Sequence, residues 1–180
     1  MANIGRKSVL KAAAVLNNAF NAANAGGDGK ELCATDHPTV ANIDQRNELA
    51  TAADLNETSL EQALIDIAAF QDERGLKINA QATKLIIPPA LQFTADRLME
   101  SPGRVNTSDN DINAIRNMGM VSGGYAVNHY LTDTDAYFIM TDVPNGLKHF
   151  TRTPMSTSMD ADFDTGNSRY KARERYSFGV

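Results

Sequence analysis

A single cysteine, Cys33, stands in 180 residues, so no internal disulfide can form and nothing in the cysteine usage favours an oxidising compartment. Long apolar runs are also missing. No stretch approaches the roughly 18 to 20 consecutive apolar residues that a membrane span requires, and the reading is of a chain without membrane association. Near the N-terminus, Arg6, Lys7 and Lys11 precede an Ala-rich run, but Asn17 and Asn18 interrupt it, and no continuous apolar core of a signal peptide is read there. An excess of basic charge is absent as well. The formal net charge is -5, which argues for weak or no direct nucleic-acid binding, because phosphate contacts normally need a basic face and often a basic total.

What is present is ordinary for a globular protein: 42% apolar and 22% charged residues, at a length that suits one domain with its own core or a large piece of a bigger one. Val9, Leu10, Ala13, Ala14, Leu16 and Phe20 recur at three- and four-residue spacing and predict a helix over residues 6–23. Gly26, Gly27 and Gly29 then release the chain into a loop that runs through "ELCATDHPTV". Thr58 and Glu61 read as a capping box ahead of Leu60, Leu64, Ile67 and Ala68, with Gly75 closing that helix. "TKLIIPP", residues 83–89, reads as a short buried strand ended by its prolines, and a second amphipathic helix follows over 90–100 with Leu91, Ala95, Leu98 and Met99 on one face.

After a loop at "SPGRVNTSDND" and a brief helix over 112–117, the character changes to strands. "YAVNHYL" and "DAYFIMTDV" are β-branched and aromatic, Pro144 to Gly146 signal a turn, and "LKHFTRT" is expected to pair with the strand before it. Helices early and strands late, without a βαβ rhythm, define an α+β class.

Motifs that carry chemistry are scarce. Cys33, Asp36 and His37 lie together in "LCATDHP" and invite a thiol-hydrolase or zinc reading, since a thiolate needs a nearby base and a metal needs clustered ligands. Against it, no second cysteine exists and His129 and His149 fall in candidate strands far along the chain, so a small buried Cys and a loop His bonded to backbone are expected instead. Asp109, Asp111 and Asn113 reproduce the opening of a calcium loop, but Ala114 replaces its glycine and Met120 its bidentate glutamate. Helix capping by Asp109 or Asp111 is expected there. "AGGDGKE" lacks the Ser or Thr and the earlier glycine of a phosphate loop, and Gly119, Gly123 and Gly124 have the wrong intervals for a dinucleotide fingerprint. Those glycines are read as turns or close backbone approaches. No cofactor, metal site or catalytic residue is assigned.

The closing strand is the most patterned segment. At period two, Arg169, Lys171, Arg173 and Arg175 point one way, and Tyr170, Ala172, Tyr176 and Phe178 the other, with Glu174 as the exception on that second face. The plain reading is a solvated sheet face whose long stems cover apolar surface. The functional readings are a phosphate contact or an ion-paired interface with an acidic surface such as "DADFD", residues 160–164. Glu174 favours the second, because an interfacial carboxylate calls for a cationic partner. Arg169, Lys171, Arg173, Glu174 and Arg175 are therefore the candidate subunit-interface residues.

Several phrases together resemble one family: "AAAVLNNAFN", "DGKELCATDHP", "ERGLKINAQATKLIIPPALQFTADRLMES", "NDINAIR", "VNHYLTDTDAYFIMTDVPNGLKHFTRTP" and "DFDTGNSRYKARERYSFG". They are similar to the major capsid proteins of tailed bacteriophages and prophages with the Hong Kong 97-type fold, in the Mu-like branch. The resemblance implies the end of a spine helix and a loop over 1–30, an axial α+β domain over 31–150 and peripheral-domain strands over 151–180. It implies a structural, non-enzymatic subunit of hexamers and pentamers in an icosahedral shell around DNA, assembled in the bacterial host cytoplasm, with a scaffold or head protease as further partners. Relatives normally carry an N-terminal region before this point and continue past Val180, so the resemblance also implies a chain truncated at both ends. The competing reading is a small thiol hydrolase or capsid-processing protease using Cys33 and His37.

Overall fold

The computed structural model describes residues 2–41, 43–104, 111–144, 146–161 and 163–179. In chain order the helices are α1 (Ala2–Asn17), α2 (Glu57–Ala68), α3 (Gln92–Glu100) and α4 (Ala114–Met118). The strands are β1 (Ala82–Ile87), β2 (Tyr125–Val127), β3 (Phe138–Thr141), β4 (Lys148–Ala161) and β5 (Ser168–Gly179). This mixture of helix and strand is α+β, as the sequence implied. The chain divides into a compact unit, residues 16–144, and a second, discontinuous unit made of residues 1–15 and 145–180.

The compact unit is built on β1. Leu85 and Ile87 are fully enclosed, and β1 is the centre of a three-stranded sheet, with β2 parallel on one side and β3 antiparallel on the other. Leu60, Leu64 and Ile67 of α2, Ala95, Leu98 and Met99 of α3, and Ile115 of α4 pack into the same core. Each of the largest of these side chains contributes about 1.5 to 3 kcal/mol by leaving water. Pro88 follows β1 directly, and a short 3-10 turn at Pro89–Leu91 leads into α3, so the prolines end the strand as expected.

The caps differ from the sequence reading. Asn56, not Thr58, starts α2: its side chain accepts from the Ser59 amide while the Ser59 hydroxyl accepts from the Asn56 amide, a reciprocal box two residues earlier. Gly75 does not close that helix. The helix ends at Ala68, and Gly75 sits at φ 82° in a separate turn where Asp72 accepts from the Arg74 and Leu76 amides. The cap of α4 is Asn113 and not Asp111, while Asp109 lies outside the described residues. Asn113 is buried; its carbonyl oxygen accepts from the Arg116 amide and its Nδ2 donates to Leu98 and Ser101 carbonyls, tying the end of α3 to the start of α4. A carboxylate buried in that place has no donor to offer the two carbonyls, which is why an amide side chain serves.

α1 also stops at Asn17, short of residue 23, because Asn17 is drawn into the 128–132 segment. Its Nδ2 donates to the Tyr130 carbonyl and its oxygen accepts from the Thr132 amide, both at 3.0 Å. Asn21 then caps a single 3-10 turn at Ala22–Asn24. Gly123 shows why one glycine is required: a Cβ there would meet the Thr83 carbonyl oxygen at 2.6 Å.

In the second unit, β4 and β5 form a two-stranded antiparallel ribbon. β4 pairs with β5 rather than with β3, contrary to expectation: β3 pairs with β1 in the three-stranded sheet, and β4 runs beside β5 from Lys148 to Ala161, a far longer ladder than the four residues of β3 could offer. The register shifts twice between Thr151 and Ser156, where Pro154 can donate no ladder hydrogen bond.

Candidate assembly surface

The alternation of β5 is realised in the ribbon. Arg169, Lys171, Arg173 and Arg175 are exposed, whereas Ala172, Glu174, Tyr176 and Phe178 are half-buried on the other face. Directly across on β4, Lys171 faces Ser158, Arg173 faces Ser156 and Arg175 faces Thr153, so this stretch of the cationic face meets hydroxyls rather than carboxylates. Only at the far end does Arg169 stand opposite Asp160, the first residue of the acidic "DADFD" stretch.

The second face is apolar and partly covered. His149 stacks on Phe178 with ring centroids 4.8 Å apart, and Tyr176 meets Phe178 edge-on at 5.5 Å, a cross-strand aromatic cluster. Lys7, Lys11 and Val15, one i,i+4 row of α1, line open troughs against residues 172–178 of β5. Glu174 belongs to this face: its Oε2 is enclosed and has no hydrogen-bond partner among the described residues.

Farther along, the ribbon face is uncovered. Met159 lies directly across from Tyr170; they are 74% and 53% exposed, and Phe163 beyond them is 99% exposed. Sequence reasoning took residues 160–164 as acidic surface and passed over the aromatic within them. The signal was there: a Phe flanked by aspartates and followed by Thr165 and Gly166 is apolar side chain placed on a turn. A large apolar side chain left wholly in water at a hairpin end marks a contact surface when it is continuous with others.

The Cys33, Asp36 and His37 group does not converge. Asp36 pairs with Lys30, and the His37 ring nitrogen Nδ1 lies 2.6 Å from Asp28 Oδ2, where the bond holds the Asp28 carboxyl below its usual range. The ring thus meets a carboxylate, not backbone as expected; it is the His37 main chain that bonds to Gln45 in a small bridge. No hydrogen bond joins Cys33 to His37 among the described residues. Burial pushes the Cys33 thiol up to about 11, with Glu48 adding to the shift, the reverse of what a nucleophile needs. His149 is spent in the ribbon cluster, and among the described residues no three His, Cys, Asp or Glu side chains gather as metal ligands. No helix among them is long and apolar enough to cross a membrane.

A folded core joined to a ribbon that exposes apolar and cationic side chains defines a protein working through contact surfaces. The family model for phage capsid protein matches residues 1–180, and the chain belongs to that family. No curated protein and no solved structure matches it. Its role is structural: a bacteriophage capsid protein, part of the virion shell, that assembles with other copies of itself. The thiol-hydrolase or protease reading of Cys33 and His37 finds no support in this family or in the geometry of the two side chains.

Proposed function

We propose that the chain is a Hong Kong 97-type major capsid subunit of the Mu-like branch, which forms hexamers and pentamers that tile an icosahedral shell around DNA. The match of the family model over residues 1–180 is the observation that carries this reading. The finer assignment rests on the resemblance of the phrases quoted above. In it the compact unit takes the axial role read for residues 31–150, and α1 with the β4–β5 ribbon takes the peripheral one. Assembly in the bacterial host cytoplasm, with a scaffold or head protease as further partners, belongs to the same reading.

Arg169, Lys171, Arg173, Glu174 and Arg175 are the proposed subunit-interface residues, four on the exposed face of β5 and Glu174 on the face lined by Lys7 and Lys11. Repeating contacts between unlike surfaces close into rings when the rotation allows, and rings of six and five tile a closed shell. The net charge of -5 suits a container that must not hold its DNA too tightly. Electron microscopy of the full chain, expressed alone and with the neighbouring head genes, tests the proposal. Rings or closed shells are expected, and inert monomers under every assembly condition would overturn it.

A further inference from the structure

The charge of this chain is unevenly divided. The unit made of residues 1–15 and 145–180 carries nine Lys or Arg against four Asp or Glu, a formal +5, whereas residues 16–144 carry eight against eighteen, a formal -10. We propose that the cationic face of the ribbon, presented by Lys171, Arg173 and Arg175, docks onto the acidic compact unit of a second copy of this chain. The inference rests on the capsid reading only in requiring that copies meet.

Three features carry it. Lys171, Arg173 and Arg175 are exposed at alternate positions, each about 7 Å from the next along the strand, and none has an ion-pair partner among the described residues. Their cross-strand neighbours are hydroxyls, so the ribbon does not neutralise them itself. In the compact unit only Asp28, Asp36, Glu57 and Asp66 are matched in ion pairs among the described residues; Asp72, Asp96, Asp133 and Asp142 accept hydrogen bonds from uncharged donors, which leave their negative charge unneutralised. At one point they crowd each other: Asp133 bonds Asp135 and pushes its carboxyl up, with the field of Asp54 adding to it.

DNA is the less favoured occupant. A phosphate chain is uniformly anionic and meets a molecule of net charge -5, whereas a second copy, of the same net charge, gathers a formal -10 in residues 16–144 apart from a formal +5 in its remaining residues, at the same concentration as the ribbon. The contact is also self-propagating. Each copy uses its ribbon on one neighbour and its compact unit on the other, the unlike-surface arrangement that builds rings.

The test mixes full-length chains grown in normal and in nitrogen-15 medium, allows them to associate at low salt, and joins amines to adjacent carboxylates with a carbodiimide. Mass spectrometry is expected to find Lys171 linked to Asp or Glu within residues 16–144, in peptide pairs of mixed isotope. The double variant Arg173→Glu with Arg175→Glu should weaken association by about tenfold or more, as salt should, with unchanged circular dichroism. The neutral pair Arg173→Gln with Arg175→Gln should fall between, which separates lost attraction from misfolding. Wild type that associates without mixed-isotope links in that region, or a double variant that associates as wild type does, overturns the inference and leaves the capsid reading standing. A double variant that loses DNA retention but associates normally makes DNA the occupant and also overturns it. Wild type that never associates overturns the capsid reading and the inference together.

Discussion

The two units of this chain are stabilised on different terms. Of sixteen buried apolar side chains among the described residues, fifteen lie in residues 16–144 and only Ala13 lies in the other unit. The compact unit has its own core, its own capped helices and a three-stranded sheet. The ribbon has two strands of 14 and 12 residues, one aromatic cluster and an end left in water. An isolated two-stranded ribbon is marginal in water at best, because it buries too little to offset the entropy of ordering it. One unit is a folded body, and the other leaves most of its side chains in water.

The largest expected effect separates the two. Leu85→Ala removes a fully enclosed side chain from the central strand and should cost about 2 to 5 kcal/mol in denaturant unfolding. Tyr176→Ala, taken from the half-buried face of the ribbon, should cost no more than about 1 kcal/mol in the same experiment. Equal losses at the two positions would mean that the ribbon is held as firmly as the core, and the comparison would fail.

Next in size is Phe163→Ala. With 99% of the side chain exposed, no intramolecular packing is lost, so thermal unfolding should stay within about 0.5 kcal/mol of wild type. Association of copies should weaken by about 1 to 2 kcal/mol if the aromatic anchors a contact, read as a shift in the concentration at which large particles appear in light scattering. Unchanged assembly would remove Phe163 from the interface without touching the argument for the cationic face.

These contrasts explain which parts of the chain were legible in its sequence. β1, α3 and β5 were readable because their signals are local: three consecutive aliphatics closed by prolines, an apolar face at helical spacing, and strict alternation. Strand partners were not, since β3 and β4 are near neighbours in sequence and the choice of β1 for β3 is decided by burial of Leu85 and its surroundings. Helix-start caps were misplaced by two residues, from Thr58 to Asn56 and from Asp111 to Asn113, because several polar residues in each stretch can accept the same amide and only tertiary packing selects one. The cationic row was legible as a pattern; that Glu174 points away from it was too. The charge division between the units was hidden, because its two halves come from opposite ends of the chain.

Acid should loosen the loop before α2. Asp28 accepts from the His37 ring and from the Lys30 amide, which lowers its folded-state pKa below the ordinary 3.8. The stabilisation is therefore present above about pH 3.8 and is lost as pH falls through the lower folded-state value. The pair is partly exposed, and its worth is no more than about 1 kcal/mol. Protection factors of the His37 and Gln45 amides should drop at the acid end in wild type, and Asp28→Asn should show the lower protection already at pH 6. If Asp28→Asn protects as well as wild type at pH 6, the loop is held by Asn47, whose side chain bridges Leu32 and Ala34, and not by the Asp28–His37 pair.

The smallest effect belongs to Cys33. Burial raises its thiol to about 11, so its thiolate at neutral pH is scarcer than that of a free cysteine, and alkylation should run on the order of a hundredfold slower than on a model thiol. Its side chain is half-buried in the loop, with its amide donating to the Ala19 carbonyl, a bond that survives any change of side chain. Cys33→Ala should accordingly change unfolding by no more than about 1 kcal/mol and leave assembly unchanged. Rapid labelling at pH 7 coupled to loss of particles would place a reactive group inside the compact unit, and the contrast between a self-sufficient body and a partner-seeking ribbon would then need a second functional surface on the body itself.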